Sequence, residues 1–158
     1  MGDLLVKEKI ERKIRADIPV ANFMQFSLEE LSLTSVRSVF PLAPNINHLG
    51  TAFGGSLYAA GAMSCYSLVL AHVSEAGLED AFVVISKGDI EYLSPGRGDF
   101  RVEVNCSAEV TERFQERLQK GQRAPLDLQG HIIAPDASGA DRKCAVFSGS
   151  YLVKAKKN

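Results

Sequence analysis

The spacing of apolar residues changes from helical to alternating near the middle of the chain. Apolar positions recur at helical spacing from Leu4 to Ile18, which predicts an amphipathic helix that ends before Pro19. A short helical turn is expected after this proline, followed by a strand over Leu31–Leu42. The segment Gly55–Glu75 has small or apolar residues on nearly every side and predicts one long buried helix.

From Ala81 onward, apolar residues alternate with polar ones, as in strands that have one face in water. The turn SPGRGD separates the first two of these strands, and the charged residues 111–125 predict about one helical turn. Short turns favour antiparallel pairing of consecutive strands, so the chain is predicted to be α+β, with one sheet and one buried helix. The predicted strands are Ala81–Pro95 with a candidate bulge at Gly88, Phe100–Val110, Leu126–Ala134 and Cys144–Val153.

The long apolar helix is a weak candidate for a membrane span. Its apolar part, Leu57–Val73, is short for a bilayer, which requires about 20 apolar residues. It also contains polar side chains, among them Ser64 and His72. A helix covered by protein on all sides is the better interpretation, and the small residues Ala59–Ala62 allow a second copy of the chain to approach closely. We therefore expect a dimer core and no membrane attachment.

Composition and charge narrow the class of protein further. The 158 residues suit one domain, which we divide into an N-terminal helix over residues 1–18 and a main domain over residues 19–158. The net charge of −1 gives no general attraction to nucleic acid or anionic lipid. The three cysteines form no C-x-x-C pair and the three histidines show no ligand spacing, which favours reduced thiols, a cytoplasmic location and no metal site.

The start of the long helix carries the first candidate chemistry. Gly54 and Gly55 lie where the first helical N–H groups have no partner within the helix, and without Cβ atoms they let a ligand come close to the backbone. These groups, with the positive end of the helix, are suited to an oxyanion hole for a thioester carbonyl. Tight packing of the helix against the sheet is the alternative role for both glycines.

Asn47, in the loop before the helix, is a second candidate. Its side-chain amide can donate and accept hydrogen bonds at once, so it can orient an attacking water or bind the acyl carbonyl. A simple turn residue is the alternative interpretation, and for Asn45, which follows a proline, the turn is favoured.

Two segments resemble a known family. The sequences NHLGTAFGGSLYA and IEYLSPGRGDF resemble those of hotdog-fold acyl-CoA thioesterases, and their wording is most similar to the putative thioesterase family named after the YiiD C-terminal domain. The resemblance extends from about Pro19 to Val153. It implies a curled antiparallel sheet around one long helix, a homodimer or tetramer, and an acyl-CoA or acyl-carrier-protein substrate. No cofactor is implied, because coenzyme A is part of the substrate.

The chain departs from the pattern of related thioesterases in its catalytic acid. Those enzymes often carry His-Gly-Gly with an Asp or Glu nine residues after the histidine, where this chain has Phe53 and Ala62. Ser64 and Cys65 have no visible activating base and are expected to pack. Tyr66 on the helix and Asp89 on the following strand remain as polar candidates, the latter if its strand passes a neighbouring subunit's helix.

The remaining candidates would bind substrate. Ser86 and Lys87 lie on the same predicted strand, and either Lys87 or Arg97 is expected to meet a CoA phosphate. A non-catalytic acyl-CoA sensor is one alternative function, and a hotdog hydratase or dehydratase is another, although the Asp/His pair of that class is absent near the glycines. The apolar residues expected to line an acyl tunnel are Phe53, Leu57, Tyr58 and Met63.

Overall fold

A computed structural model of the chain describes residues 2–156. Two helices come first, followed by three pairs of strands that are separated by one α-helix each. In chain order they are α1 (Gly2–Asp17), α2 (Pro19–Phe23), β1 (Ser27–Leu31), β2 (Ser35–Phe40), α3 (Gly54–Glu75), β3 (Phe82–Tyr92), β4 (Phe100–Asn105), α4 (Ala108–Gln119), β5 (Ala124–Pro135) and β6 (Asp141–Lys154).

The six strands form one antiparallel sheet in the order β1-β2-β4-β5-β6-β3. The sheet curls around α3, which contacts all of its strands. The predicted α+β fold, a curled antiparallel sheet around one long helix, is therefore confirmed. The helix begins one residue earlier than predicted, at Gly54.

Helix α3 forms the centre of the core. By length and composition it could cross a membrane, with a mean hydropathy of 1.3 in its most apolar window, but 72% of that window is buried inside the domain. Gly61 shows how close this packing is, because a Cβ atom there would overlap the Cβ of Phe147 on β6. Helix α1 packs against the same core through Ile10 and Ile14, which are both buried.

The turn SPGRGD does not form a hairpin. The strand before it, β3, lies at one edge of the sheet and, within residues 2–156, pairs only with β6, whereas the strand after it, β4, lies between β2 and β5. The prediction that consecutive strands are neighbours was wrong here, because the sheet curls and the segment crosses between distant strands. The prediction of a single strand over Leu31–Leu42 was also wrong, since this region contains the end of β1 and the strand β2, which pair with each other.

The alternating segment Phe100–Val110 ends as a strand at Asn105. Ser107 caps a new helix there, and its side chain accepts a hydrogen bond from the N–H of Val110 at 3.3 Å. The single helical turn predicted for the charged segment is therefore a helix of 12 residues, α4. Its apolar side, including Phe114 and Leu118, is buried, which explains why the charged residues face outward.

Candidate functional site

The start of α3 leaves several backbone donors free. Phe53 occupies the N-cap position and its side chain makes no capping hydrogen bond. The first helical donor is the N–H of Leu57, which donates to the carbonyl of Phe53 at 3.0 Å. The N–H groups of Gly54, Gly55 and Ser56 have no acceptor among the described residues. They carry the positive end of a 22-residue helix.

Two aromatic rings lie close to the two glycines at this point. A Cβ atom on Gly54 would lie 3.1 Å from the hydroxyl oxygen of Tyr92, and one on Gly55 would lie 2.5 Å from the ring of Phe53. The Tyr92 hydroxyl also donates a hydrogen bond of 2.8 Å to the carbonyl oxygen of Gly54. Close packing and free amides thus occur together, so the two roles weighed for these glycines do not exclude each other.

A cleft of about 490 Å³, here called the mouth cleft, opens beside this helix end. One wall comes from the loop before α3 and its first turn, and the other from the end of β3 and the segment after it. None of its lining residues is an acid, a base or a histidine. They are Thr51, Ala52, Gly54, Leu57, Tyr92, Leu93, Ser94, Pro95 and Gly96.

Asn47 does not line the mouth cleft and is held by its own loop. Its Oδ1 accepts hydrogen bonds from the backbone N–H groups of Leu49 (2.9 Å) and Thr51 (3.1 Å). Its Nδ2 donates to the hydroxyl of Thr51 at 3.0 Å. These are the bonds of an Asx turn, and they place Thr51 rather than Asn47 on the cleft wall. The proposed contact of Asn47 with water stays a prediction.

Asn45 is also a structural residue. It is buried, its Nδ2 donates to the carbonyls of Met24 and Pro41, and its own carbonyl accepts from the N–H of Phe53. These bonds fix the loop at the point where α3 begins.

Ser94 is a polar residue of the cleft that sequence reasoning missed. Its hydroxyl oxygen is buried and has no hydrogen-bond partner among the described residues. A buried hydroxyl without a partner is destabilising by about 1–3 kcal/mol, so this group is suited to bind a ligand or water. The sequence held a signal, because Ser94 lies inside the IEYLSP motif, but nothing in the motif showed which way the side chain points.

A second cavity of about 470 Å³, here called the apolar cleft, runs along the uncovered side of α3. It contains three predicted site residues, Tyr58, Met63 and Tyr66. Burial raises the pKa of the Tyr66 phenol. The remaining lining residues were not predicted and are Ile18, Val20, Ala59, Ala62, Val83, Ile85 and Tyr151.

The structure does not bring Tyr66 to the helix mouth. It lies 12 positions after Gly54 on the same helix, which corresponds to about 18 Å at 1.5 Å per residue. The two catalytic candidates Tyr66 and Gly55 are therefore separated along the helix of one chain. Ala62, at the position of the missing acid, lies between them in the apolar cleft, and its carbonyl accepts a 2.7 Å hydrogen bond from the hydroxyl of Tyr151.

Asp89 and Lys87 lie on the face of β3 that points away from α3. Gly88, between them, faces the helix, since a Cβ atom there would overlap the hydroxyl of Tyr58. Both charged residues line a separate groove on the outer face of the sheet. Asp89 is therefore remote from the helix mouth of its own chain, and its role at a neighbouring subunit stays a prediction.

The candidate bulge at Gly88 was wrong in position. The register between β3 and β6 shifts between Ile85 and Lys87, which places the irregularity at Ser86. The Ser86 hydroxyl donates to the carbonyl of Ser150 at 3.1 Å. The glycine at position 88 serves to admit the Tyr58 hydroxyl.

The polar residues in the middle of α3 belong to the core. Ser64 is fully buried, donates to the carbonyl of Ala60 and shares a hydrogen bond with Ser38 of β2. Cys65 is also fully buried, and this burial raises the pKa of its thiol, so the thiolate needed for nucleophilic attack is not available. Both side chains pack, as expected from the sequence.

Comparisons with known proteins agree with this architecture. A family model described as putative thioesterase (yiiD_Cterm) matches residues 7–155 of the chain. The match begins within α1, earlier than the resemblance read from the sequence. Among curated proteins, none matches.

Several solved structures are similar over nearly the whole chain. A protein of unknown function from Chlorobaculum tepidum superimposes with a TM-score of 0.87 at 24% identity, covering 98% of this chain and 97% of the other. A putative thioesterase from Shewanella oneidensis gives 0.78 at 25% identity, with 96% and 98% covered. A probable thioesterase from Pseudomonas aeruginosa gives 0.73 at 21% identity, with 96% and 95% covered.

Proposed function

Since the chain belongs to the YiiD C-terminal family of putative thioesterases, we propose that it hydrolyses an acyl thioester carried by coenzyme A or by an acyl-carrier protein. The reaction breaks the bond between the acyl carbon and sulfur after water adds to that carbon, and it releases a carboxylic acid and a thiol. The transition state carries negative charge on the former carbonyl oxygen, which is the charge that the protein must stabilise.

The free N–H groups of Gly54 and Gly55 are the observation that carries the proposal. They lie at the positive end of α3, have no acceptor among the described residues, and Gly54 borders the mouth cleft. Backbone donors fixed in this way need no reorganisation when charge develops on the substrate oxygen. Loss of one such donor typically lowers turnover by about 10²–10³.

The acyl chain would occupy the apolar cleft. Tyr58 and Met63 lie in the cleft on α3, three and eight positions after Gly55. Phe53 caps the same helix, with 55% of its surface exposed, and adds apolar surface at the entrance. A chain bound here would leave its carbonyl at the helix end and its thiol carrier outside.

The water would be held by hydroxyl groups rather than by a carboxylate. Thr51 and Ser94 both border the mouth cleft, and the Ser94 hydroxyl lacks a partner among the described residues. Asn47 would act through Thr51, whose hydroxyl it binds. Neither hydroxyl is a strong base, so this arrangement predicts slower turnover than in an enzyme with a positioned acid or base.

A second copy of the chain would complete the site. Strand β3 pairs with β6 on one side only, and its apolar residues Val84 and Ile85 are 52% and 44% exposed. Ala59 and Ala62 line the apolar cleft together with Ile85, on the uncovered side of α3. An edge strand of this length next to an apolar cleft is a surface that a homodimer would cover. The cytoplasmic location and a tetramer remain predictions.

An acyl-CoA sensor is the second candidate function, favoured by one observation. No residue that lines the mouth cleft is an Asp, Glu or His. Such a sensor would bind the thioester with the same amides and clefts but leave it intact.

Turnover and binding together separate the two functions. We expect thiol release from at least one member of a panel of short, long and aromatic acyl-CoAs, falling at least about tenfold in Ser94→Ala and in Asn47→Ala. Calorimetric binding of acyl-CoA without thiol release would reject the hydrolase and support the sensor. Release at the wild-type rate in both variants would reject the proposed placement of water.

A further inference from the structure

The hydroxyl of Tyr92 touches the peptide group that links Gly54 and Gly55. It donates a 2.8 Å hydrogen bond to the Gly54 carbonyl oxygen. That carbonyl and the N–H of Gly55 belong to one peptide group, with the oxygen and the hydrogen pointing in opposite directions along α3. The N–H of Gly55 is free, and the Tyr92 side chain forms part of the mouth cleft.

We infer that Tyr92 strengthens the Gly55 N–H as a donor by polarising its peptide group. A hydrogen bond to the oxygen of an amide draws electrons from its nitrogen, so the N–H becomes a better donor at the other end. Tyr92 is then a positioning residue that acts on the substrate through Gly55. This inference rests on the proposed function, in which the Gly55 N–H binds the thioester oxygen.

The geometry supports a fixed contact and not a chance one. The ring of Tyr92 packs so closely against Gly54 that a Cβ there would lie within 3.1–3.3 Å of its outer atoms. Tyr92 is the last residue of β3, and the following N–H groups of Leu93 and Ser94 donate to the carbonyl of Cys144. These bonds fix the backbone on which the ring is carried.

The expected change in kcat follows from the strength of the hydrogen bond between the Gly55 N–H and the thioester oxygen. Cooperative polarisation changes a hydrogen bond by about 10–30%, and loss of a whole oxyanion donor costs about 10²–10³ in kcat. On a logarithmic scale this fraction corresponds to a decrease of about 2- to 8-fold in kcat for Tyr92→Phe. KM should change less than about twofold, because the donor contributes most when charge has developed.

The first test measures the Gly55 amide directly, without substrate. In Tyr92→Phe we expect the ¹H and ¹⁵N resonances of the Gly55 amide to move upfield, because a less polarised N–H group is more shielded. Tyr151→Phe is the matched control, since its hydroxyl also donates to a carbonyl of α3, that of Ala62 at 2.7 Å. The control should leave the Gly55 resonances in place, and an unchanged Gly55 in Tyr92→Phe would overturn the inference.

The second test changes donor strength while the ring stays. Replacement of Tyr92 by fluorinated tyrosines, whose phenols are stronger donors, should raise kcat above the wild-type value as Tyr92→Phe lowers it. If Tyr92 had a purely structural role, kcat would not follow the donor strength of the phenol. The lack of this graded order would overturn the inference about Tyr92, and turnover by the wild type would still support the proposed hydrolase. If the wild type releases no thiol from any acyl-CoA, the proposed function fails, and so does the role of Tyr92 in it.

Discussion

Two glycines of α3 should respond in opposite ways to the same substitution. Gly55 lies in the first turn, where an added Cβ would meet the outer ring atoms of Phe53 at 2.5 Å. That ring is 55% exposed and can swing away. Gly61 lies six positions later, where the added Cβ would overlap the Cβ of Phe147. Phe147 is a fully buried residue of β6, and its Cβ is attached directly to the backbone. The same methyl group therefore meets a movable side chain in one case and a rigid core in the other.

The magnitudes follow from these surroundings. Gly61→Ala overpacks the core and should lower the free energy of unfolding by about 1–3 kcal/mol. For a chain of this size the Tm should fall by about 2–4 °C for each kcal/mol. Gly55→Ala should change stability by less than about 1 kcal/mol, because the lower entropy of the unfolded chain offsets the displaced ring. Its kcat/KM should fall at least about tenfold, because the methyl group and the ring crowd the amides.

Urea unfolding followed by circular dichroism, with thiol release from the best acyl-CoA, measures both quantities on the same samples. Gly61→Ala, corrected for its folded fraction, should keep its turnover. Wild-type turnover in Gly55→Ala would refute the role of the helix-start amides. Unchanged stability in Gly61→Ala would refute the packing described for α3 and β6.

Three further predictions concern pH, assembly and the core. Burial lowers the pKa of His72, whose Nδ1 accepts from the side-chain amide of Gln115 at 2.7 Å, so the folded chain binds this proton less readily than the unfolded chain. The contribution of neutral His72 to the free energy of unfolding is complete above the unfolded pKa, near 6.5, and is lost as the pH falls below that value. The urea midpoint should therefore fall between pH 7.5 and pH 5.5, and His72→Gln should make this decrease smaller. Ile85→Lys should convert a dimer into a monomer of 17.1 kDa in light scattering, whereas Glu91→Lys on the same strand should not, and a wild-type monomer would contradict the assembly. Ser64→Ala should lower stability by about 1–3 kcal/mol, because Ser38 loses its buried partner; thermal unfolding at or above the wild-type Tm would count against that bond.

The fold could be predicted because its main signals are local. The apolar pattern of α3 and the alternation of β4–β6 are both read from neighbouring residues. The order of the strands could not be predicted, because the pairing of β3 with β6 joins residues some 60 positions apart, as in Lys87 and Ser150. The alternation through Val110 was misleading because Ser107 caps a helix there, and a capping serine leaves the apolar pattern unchanged.

The site was predicted in part for a similar reason. Gly54 and Gly55 indicate a helix start from the sequence alone, and in the structure their N–H groups have no acceptor among the described residues. Asp89 is a sequence candidate because it adjoins the candidate bulge at Gly88, with a role at a neighbouring subunit's helix that stays a prediction. The side that a strand residue faces depends on register, which shifts at Ser86. Ser94 was missed because its importance comes from burial without a partner, which no sequence pattern displays.

The contact between the helix-start amides and a thioester carbonyl is the central claim, and it can be observed directly. The measurement is an NMR titration of ¹⁵N-labelled protein with an acyl-CoA analogue that has a methylene group between the carbonyl and the sulfur, so that the carbonyl remains and cannot be hydrolysed. We predict that the amide protons of Gly54 and Gly55 move downfield with the same saturation as residues of the apolar cleft such as Met63. Saturable shifts at Met63 with Gly54 and Gly55 unmoved would contradict the claim.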